Sequence, residues 1–225
     1  MKHLTLFLLG FTLVGCTTYQ VRVTTFHNLS PKPDEALTIN KTFDVVPAQK
    51  TMKGSLGFEA KAGMISARLE QFGMKRNKKS PELLVYLGYA IGDGRTKSGS
   101  SPVYGQTGGG STAFSGSTFG SGGSTRFSGN AYSTPTYGVT GYQSYSYTQY
   151  TRTMSIDIVD VEGSTKDDVK KVYEARVRSV GSSGVIDKVV PYMIEAVFRD
   201  FPGQSGKTKK YSISEGSIDK KKEKP

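Results

Sequence analysis

The sequence predicts a single α+β domain in which a mainly antiparallel sheet packs against two helices on one face. Three observations support this prediction: stretches that alternate apolar and polar residues, two stretches with apolar residues at helical spacing, and the order of these stretches along the chain. The predicted order is strand, strand, helix, strand, insertion, strand, strand, helix. The insertion is long and rich in glycine, serine and tyrosine, and we expect its middle to be disordered. Its end, residues 142–150, alternates tyrosine and serine, which is compatible with a ribbon that extends the next strand outward.

Strands are predicted where β-branched and apolar residues alternate with polar ones, or where a short apolar run is bounded by turn residues. They cover residues 19–26, 41–47, 83–91, 151–161 and 171–180. The third strand is apolar on both alternating faces, which is typical of a central strand. The last two strands are joined by a short acidic turn and therefore predict a hairpin with a charged outer face.

Two helices are predicted from apolar residues at helical spacing. The first covers residues 55–72, and Gly73 is its natural stop. The second covers residues 187–201 and contains Pro191, which would cost about 3 kcal/mol deep inside a helix. We therefore place Asp187 at the N-cap, so that Pro191 lies in the tolerated first turn.

The composition divides the chain into five segments. The insertion has almost no aliphatic residues that could offset the entropy of ordering it, and the lysine-rich C-terminus has the composition of a disordered basic tail. The predicted segments are a signal peptide over 1–15, the two parts of the domain over 16–93 and 150–202, the insertion over 94–149 and the tail over 203–225.

The N-terminus has the pattern of a secretory signal: Lys2 precedes an apolar run over residues 4–14, which ends at Gly15 and Cys16. This run has about half of the roughly 20 residues that a membrane-spanning helix needs. We therefore expect the leader to be removed and not to stay as a transmembrane span.

The residues Leu13-Val14-Gly15-Cys16 resemble the lipobox of bacterial lipoproteins. The resemblance implies that Cys16 becomes the mature N-terminus and carries fatty acyl chains such as palmitate. Two or three chains, at about 0.8 kcal/mol per buried methylene, make such an attachment effectively permanent. Thr17 stands where an aspartate commonly retains lipoproteins in the inner membrane, so the resemblance implies the outer membrane, with the protein facing the periplasm.

The side-chain inventory limits the chemistry available. Cys16 is the single cysteine of the 225 residues, so we expect no disulfide and no cysteine metal site. His3 leaves with the signal peptide, and His27 is then the one remaining histidine, which we interpret as a surface residue at a strand end. Glycine-serine doublets lack the context of a nucleophile elbow. We expect no enzyme activity and no cofactor.

The formal charge is +11 and the sequence pI is near 9.6. Such a balance in a cytosolic protein would suggest nucleic acid, but export excludes that partner. The expected partners are the membrane, through the acyl chains on Cys16, and an envelope protein or an anionic glycan or lipid. The lysines Lys220 to Lys222 are candidates for contact with anionic headgroups.

Several motifs, in this order, resemble the bacterial lipoproteins of domain-of-unknown-function family 4136. They are a short strand from Phe43 to Pro47, a helix ending in Phe72 to Met74, and the stretches PELLVYL, SIDIVDVEG, VYEARVRS and AVFRDFPG. The sequence lacks the tryptophans often found in the first short strand and in the second hairpin strand. The resemblance implies the α+β fold and brings no catalytic or binding residues with it.

An acidic cluster covers the end of the fourth predicted strand and the turn that follows it. Its members are Asp157, Asp160, Glu162, Asp167 and Asp168. Their spacing fits no calcium loop, so a solvated hairpin turn is the preferred interpretation and no metal site is predicted.

Three functions stay open at this point. The first is a non-enzymatic envelope lipoprotein whose compact domain and tyrosine-glycine insertion bind a partner. The second is a structural or stress-related lipoprotein that binds an anionic glycan or lipid through its basic surface. The third, and the least favoured, is an enzyme with a carboxylate site at Asp157 and Asp160.

Overall fold

A computed structural model describes residues 18–28, 41–165 and 167–216. The predicted signal peptide, Cys16, residues 29–40 and Lys220 to Lys222 lie outside these residues. The secondary-structure elements are β1 (Thr18–His27), β2 (Thr42–Pro47), α1 (Leu56–Gln71), β3 (Lys75–Arg76), β4 (Leu83–Ile91), β5 (Arg95–Ser121), β6 (Ser124–Asp160), β7 (Lys171–Gly181), α2 (Ile186–Phe198) and β8 (Thr208–Ser214), with a 3-10 turn at Lys50–Met52.

The chain forms two compact units, a domain over residues 1–95 and 149–225 and a ribbon over 96–148. In the domain the strand order is β3-β2-β4-β6-β7-β1-β8. The sheet is mixed: β2 is parallel to β3 and to β4, whereas the other neighbouring strands are antiparallel. Parallel neighbours need a crossover connection, and α1 supplies it between β2 and β3.

One buried cluster holds the domain together. Alternate residues of the strands point into it, among them Val23 on β1, Val85 on β4 and Ile156 on β6. Both helices contribute to the same cluster, with Ile65 of α1 and Met193 of α2 fully buried. This confirms an α+β domain with two helices against one face of the sheet.

The first helix agrees with its prediction. Ser55 is the N-cap, and its hydroxyl accepts a hydrogen bond from the backbone N–H of Phe58 at 3.4 Å. Gly73 follows the helix with φ +85°, a conformation that a glycine adopts without strain.

The predicted start of the second helix is wrong. The helix begins at Ile186 with Val185 as its N-cap, and it ends at Phe198, so Pro191 lies beyond the first turn. Pro191 has no N–H to donate to the carbonyl four residues earlier. Val189 and Val190, which precede the proline, are fully buried in the core, and burial of this kind offsets the one backbone hydrogen bond that Pro191 cannot make.

The structure does not support the predicted disorder of the insertion over residues 94–149, whereas the ribbon extension considered for residues 142–150 agrees with β6. Here β5 and β6 pair as a two-stranded ribbon, joined by Gly122 and Gly123 with φ of +71° and +90°. Positive φ at both central residues is what a tight hairpin turn requires. Threonine hydroxyls add bonds across the strands, as from Thr140 to the carbonyl of Val103 at 3.2 Å. Cross-strand pairing orders these residues without any aliphatic core.

The predicted disordered tail over 203–225 is also wrong over residues 208–214. This segment forms β8 at the edge of the sheet, antiparallel to β1. Ile213 is fully buried and Tyr211 packs against the same core. The alternation of these two residues in a lysine-rich segment was the available sequence signal.

Candidate functional site

The face of the sheet opposite the two helices carries a row of cations. Arg22 on β1 lies directly opposite Arg178 on β7 and, on its other side, opposite Lys210 on β8. All three side chains are exposed. No carboxylate of the described residues forms an ion pair with them. We call Arg178, Arg22 and Lys210 the basic row.

An open concavity lies next to the basic row. The neighbouring row across the sheet runs Gly88, Ser155, Arg176 and Thr24. A Cβ on Gly88 would lie 2.9 Å from the Ser155 hydroxyl and 3.2 Å from the Ala48 side chain, so these side chains pack closely over the glycine. The concavity has a volume of about 520 Å³, and Arg22, Arg176 and Arg178 contribute to its lining.

A second concavity of about 450 Å³ lies along the same row, lined by Gln20, Val180 and the three basic residues. The two concavities share Arg22 and Arg178. The basic row therefore separates two adjoining depressions, and its guanidinium groups can reach a ligand in either one.

The acidic side chains of this face lie two rows away and are already neutralised. Asp157 and Glu174 face each other across β6 and β7, and both bind Arg176 and Lys171. Hydrogen bonds to Asp157 raise the pKa of Arg176 above its usual value. The charge is thus divided: balanced ion pairs lie at one end of the face, and the basic row, which has no ion pair within the part of the chain that the structure describes, lies at the other.

The structure separates the two candidate catalytic carboxylates. Asp157 and Asp160 are three residues apart on one strand, so they point to opposite faces. Burial would raise the pKa of Asp160, but the N–H of Gly163 and the nearby lysines Lys41 and Lys170 bring it below its usual value. Two separately paired carboxylates do not favour a shared acid-base reaction.

Within the described ranges, no group of three or more histidine, cysteine, aspartate or glutamate side chains is placed to hold a metal ion. His27 lies at the end of β1, where its ring is 3.3 Å from the carbonyl of Gly203 and stacks on Tyr173.

The sequence analysis missed a buried arginine. Arg152 lies opposite Ser179 on the helix-covered face of the sheet and is 1% exposed. One guanidinium nitrogen donates to the carbonyl of Ser183 at 3.1 Å, whereas Nε and the Ser179 hydroxyl have no hydrogen-bond partner among the described residues. Burial lowers the pKa of Arg152. Alternate residues of a strand share a face. Counting back two residues from Met154 and Ile156, which were predicted to lie together, would therefore have placed Arg152 on the same face.

Residues 30–203, more than half of the chain, match the family described as "Domain of unknown function (DUF4136)". The chain belongs to this family. No curated protein matches this DUF4136 chain.

Solved structures give distant similarities only. A PDZ domain protein from Parabacteroides distasonis is 11% identical with a TM-score of 0.43, covering 90% of this chain and 41% of that protein. This DUF4136 chain thus spans less than half the length of that relative. A dodecamer of a PelC variant from Paraburkholderia phytofirmans is 13% identical with a TM-score of 0.34, covering 78% of this chain and 93% of that one.

Neither described helix of this DUF4136 protein has the length and apolar content needed to span a membrane. The predicted lipidation site, Cys16, precedes β1 by two residues and lies outside the described part of the chain. Acylation at Cys16 stays a prediction.

Proposed function

We propose that this protein is a non-enzymatic lipoprotein, anchored at the periplasmic side of the outer membrane by acyl chains on Cys16, that binds an anionic envelope lipid or glycan. The observation that supports the proposal most is the basic row, in which three exposed cations lie side by side on the sheet without a carboxylate partner among the described residues.

The arrangement of the basic row is unfavourable for the protein alone. Like charges directly opposite each other on antiparallel strands destabilise a sheet. A bound phosphate or carboxylate would remove this repulsion, and the two arginines offer the planar donor groups that match such anions. The adjoining concavities give the rest of the ligand a place to lie.

The position of the basic row along the chain suits a ligand at a membrane surface. Arg22 is six residues after Cys16. Since an extended chain spans at most about 3.3–3.6 Å per residue, the backbone of Arg22 lies within roughly 22 Å of an acylated cysteine. Cations near an anionic membrane surface contribute about 1 kcal/mol each.

Binding to vesicles tests this proposal. The test uses the full chain carrying Cys16→Ser, which has no acyl chains. It should bind vesicles that contain about a quarter phosphatidylglycerol and should not bind vesicles of phosphatidylcholine alone. Arg22→Gln/Arg178→Gln should weaken binding about tenfold or more, because two such cations contribute about 2 kcal/mol. Salt should weaken binding of the parent protein.

The matched control is Lys78→Gln/Lys79→Gln, which removes the same charge from an exposed turn before β4. If both double variants lose the same affinity, binding follows net charge and the basic row is not the site. Purified lipopolysaccharide and peptidoglycan, offered in the same assay, distinguish a lipid from a glycan ligand.

A second candidate function is the binding of an envelope protein through the domain and the glycine-tyrosine ribbon. The observation that favours it is the set of exposed aromatic side chains on the ribbon. Detergent-resistant co-purification of one envelope protein, lost when residues 107–141 are deleted, would support this function. Co-purification that survives the deletion would contradict it.

A further inference from the structure

The ribbon over residues 96–148 has two long edges that no strand covers. Within this unit β5 and β6 pair with each other, and in the described part of the chain neither strand has another partner there. Each edge therefore presents a row of backbone N–H and C=O groups to a further strand. An isolated two-stranded hairpin is marginally stable in water, and a third strand is the usual remedy.

The ribbon has few of the features with which proteins protect such edges, and its prolines are Pro102 on β5 and Pro135 on β6. Charged side chains on an edge prevent pairing with another chain, yet Lys97 and Arg126 are the two charged residues among residues 96–148. Exposed aromatic side chains add apolar surface to the edges. They are Tyr104, Phe114, Phe119, Phe127, Tyr132, Tyr137, Tyr142, Tyr145 and Tyr147.

Within the ribbon, aromatic rings already lie on glycines of the neighbouring strand. A Cβ on Gly99 would meet the Tyr145 ring at 2.7 Å, and a Cβ on Gly116 would meet the Phe127 ring at 2.6 Å. Such aromatic-glycine pairs fix the register between two strands. The same residue types recur along both strands, so a second ribbon offers complementary partners.

We propose that the ribbon is a self-association element, in which the ribbon of a second copy of this chain adds edge to edge. The low charge of the ribbon favours a second copy of this chain as its partner. The ribbon is almost neutral, so two copies approach without the repulsion that the basic domain would impose. An acidic partner would find two cations there, whereas a second ribbon finds matching backbone edges and aromatic residues.

Sedimentation equilibrium of the full chain carrying Cys16→Ser tests the proposal, because no acyl chains can then associate. The protein should associate reversibly over a range of about 1 to 100 μM. Thr112→Lys/Ser117→Lys places two charges on exposed β5 positions and should weaken association about tenfold or more. Deletion of residues 107–141 should leave a monomer.

The matched control adds the same two charges outside the ribbon, as Ala60→Lys/Ala67→Lys on the exposed side of α1. It should associate like the parent protein. A parent protein that is monomeric throughout the range overturns the proposal, as does equal weakening in the ribbon variant and the control. A monomer that binds a glycan through the ribbon aromatics would also overturn it. These readouts are independent of vesicle binding by the basic row.

Discussion

Arg22 and Arg178 lie directly opposite each other on neighbouring antiparallel strands, and no described carboxylate pairs with either side chain. A single acidic residue nearby would neutralise the repulsion between these two positive charges. Arg176, further along the same face, has such a partner in Asp157. The unrelieved pair, flanked by Lys210, distinguishes this end of the sheet from the end at which the charges are balanced. The difference is the basis of the proposed anion site.

Substitution of Arg178 by glutamine should stabilise the protein. The change removes the positive charge that lies opposite Arg22. Repulsion between the two charges destabilises the folded state by roughly 0.2–1 kcal/mol. Urea unfolding at low ionic strength should therefore show a higher midpoint with an unchanged slope. The gain should shrink as salt is added, because both side chains are exposed.

Lys78→Gln serves as the control for that stability gain, since it removes the same charge from an exposed turn. A gain of equal size in this variant would show that net charge is responsible, and not the pair. A lower midpoint for Arg178→Gln would mean that the arginine stabilises the sheet, which contradicts the argument for an anion site.

The two helices are joined by an ion pair in a largely apolar setting. Arg68 of α1 donates to Glu195 of α2, and the side chains are 19% and 7% exposed. Arg68→Met should lower the free energy of unfolding by about 2 kcal/mol, because it leaves a buried carboxylate without this cation. Chemical denaturation of the purified variant measures the loss.

The double variant Arg68→Met/Glu195→Met identifies the origin of that loss. It removes both charges, so it should be more stable than the sum of the two single changes predicts. Strictly additive effects would show that the ion pair does not couple the helices, and that the methionines act only through packing.

Local signals made the first helix predictable, whereas contacts distant in sequence decided other features. Ser55 and Gly73 mark the ends of α1 in the sequence itself. For α2, the local signal of Pro191 was outweighed by the packing of Val189 and Val190. A proline rule concerns one backbone hydrogen bond, and two buried side chains outweigh it.

The basic row shows why the site could be predicted only in part. The hairpin pattern gave a charged outer face to β7, including Arg178. Its neighbours Arg22 and Lys210 come from opposite ends of the chain. The alternation of apolar and polar residues predicts a strand, but it does not tell which strands lie next to each other in the sheet. The residues around Lys210 have the composition of a tail, so the strand that completes the row was missed.

Ile213 provides a test of the edge strand β8. Its side chain is fully buried although it lies in a lysine-rich segment. Ile213→Ala should lower the free energy of unfolding by about 2–4 kcal/mol, because it removes buried methyl groups and leaves a cavity. Ser214→Ala, an exposed neighbour, is the control. An unchanged stability for Ile213→Ala would mean that the segment does not pack on the sheet.

Asp200 links the end of α2 to β8 in a manner that depends on pH. Its carboxylate accepts hydrogen bonds from Lys209 and from the hydroxyl of Tyr211, each at 3.0 Å. These bonds hold the pKa of Asp200 below its usual value of 3.8. The folded state therefore binds the proton less readily than the unfolded state, and the stabilisation is present above about pH 4 and lost as the pH falls through the lowered value.

Asp200→Asn should therefore reduce stability at pH 6 and make less difference near pH 3, where the carboxylate of the unfolded chain, at its usual pKa of 3.8, is largely protonated. The reduction at pH 6 should not exceed about 1 kcal/mol, since the side chain is 42% exposed. Urea unfolding of both proteins at the two pH values measures the difference. Asp93→Asn, at an exposed position without a described ion pair, should show no such convergence. A constant difference between wild type and Asp200→Asn would show that Asp200 acts through neutral hydrogen bonds alone.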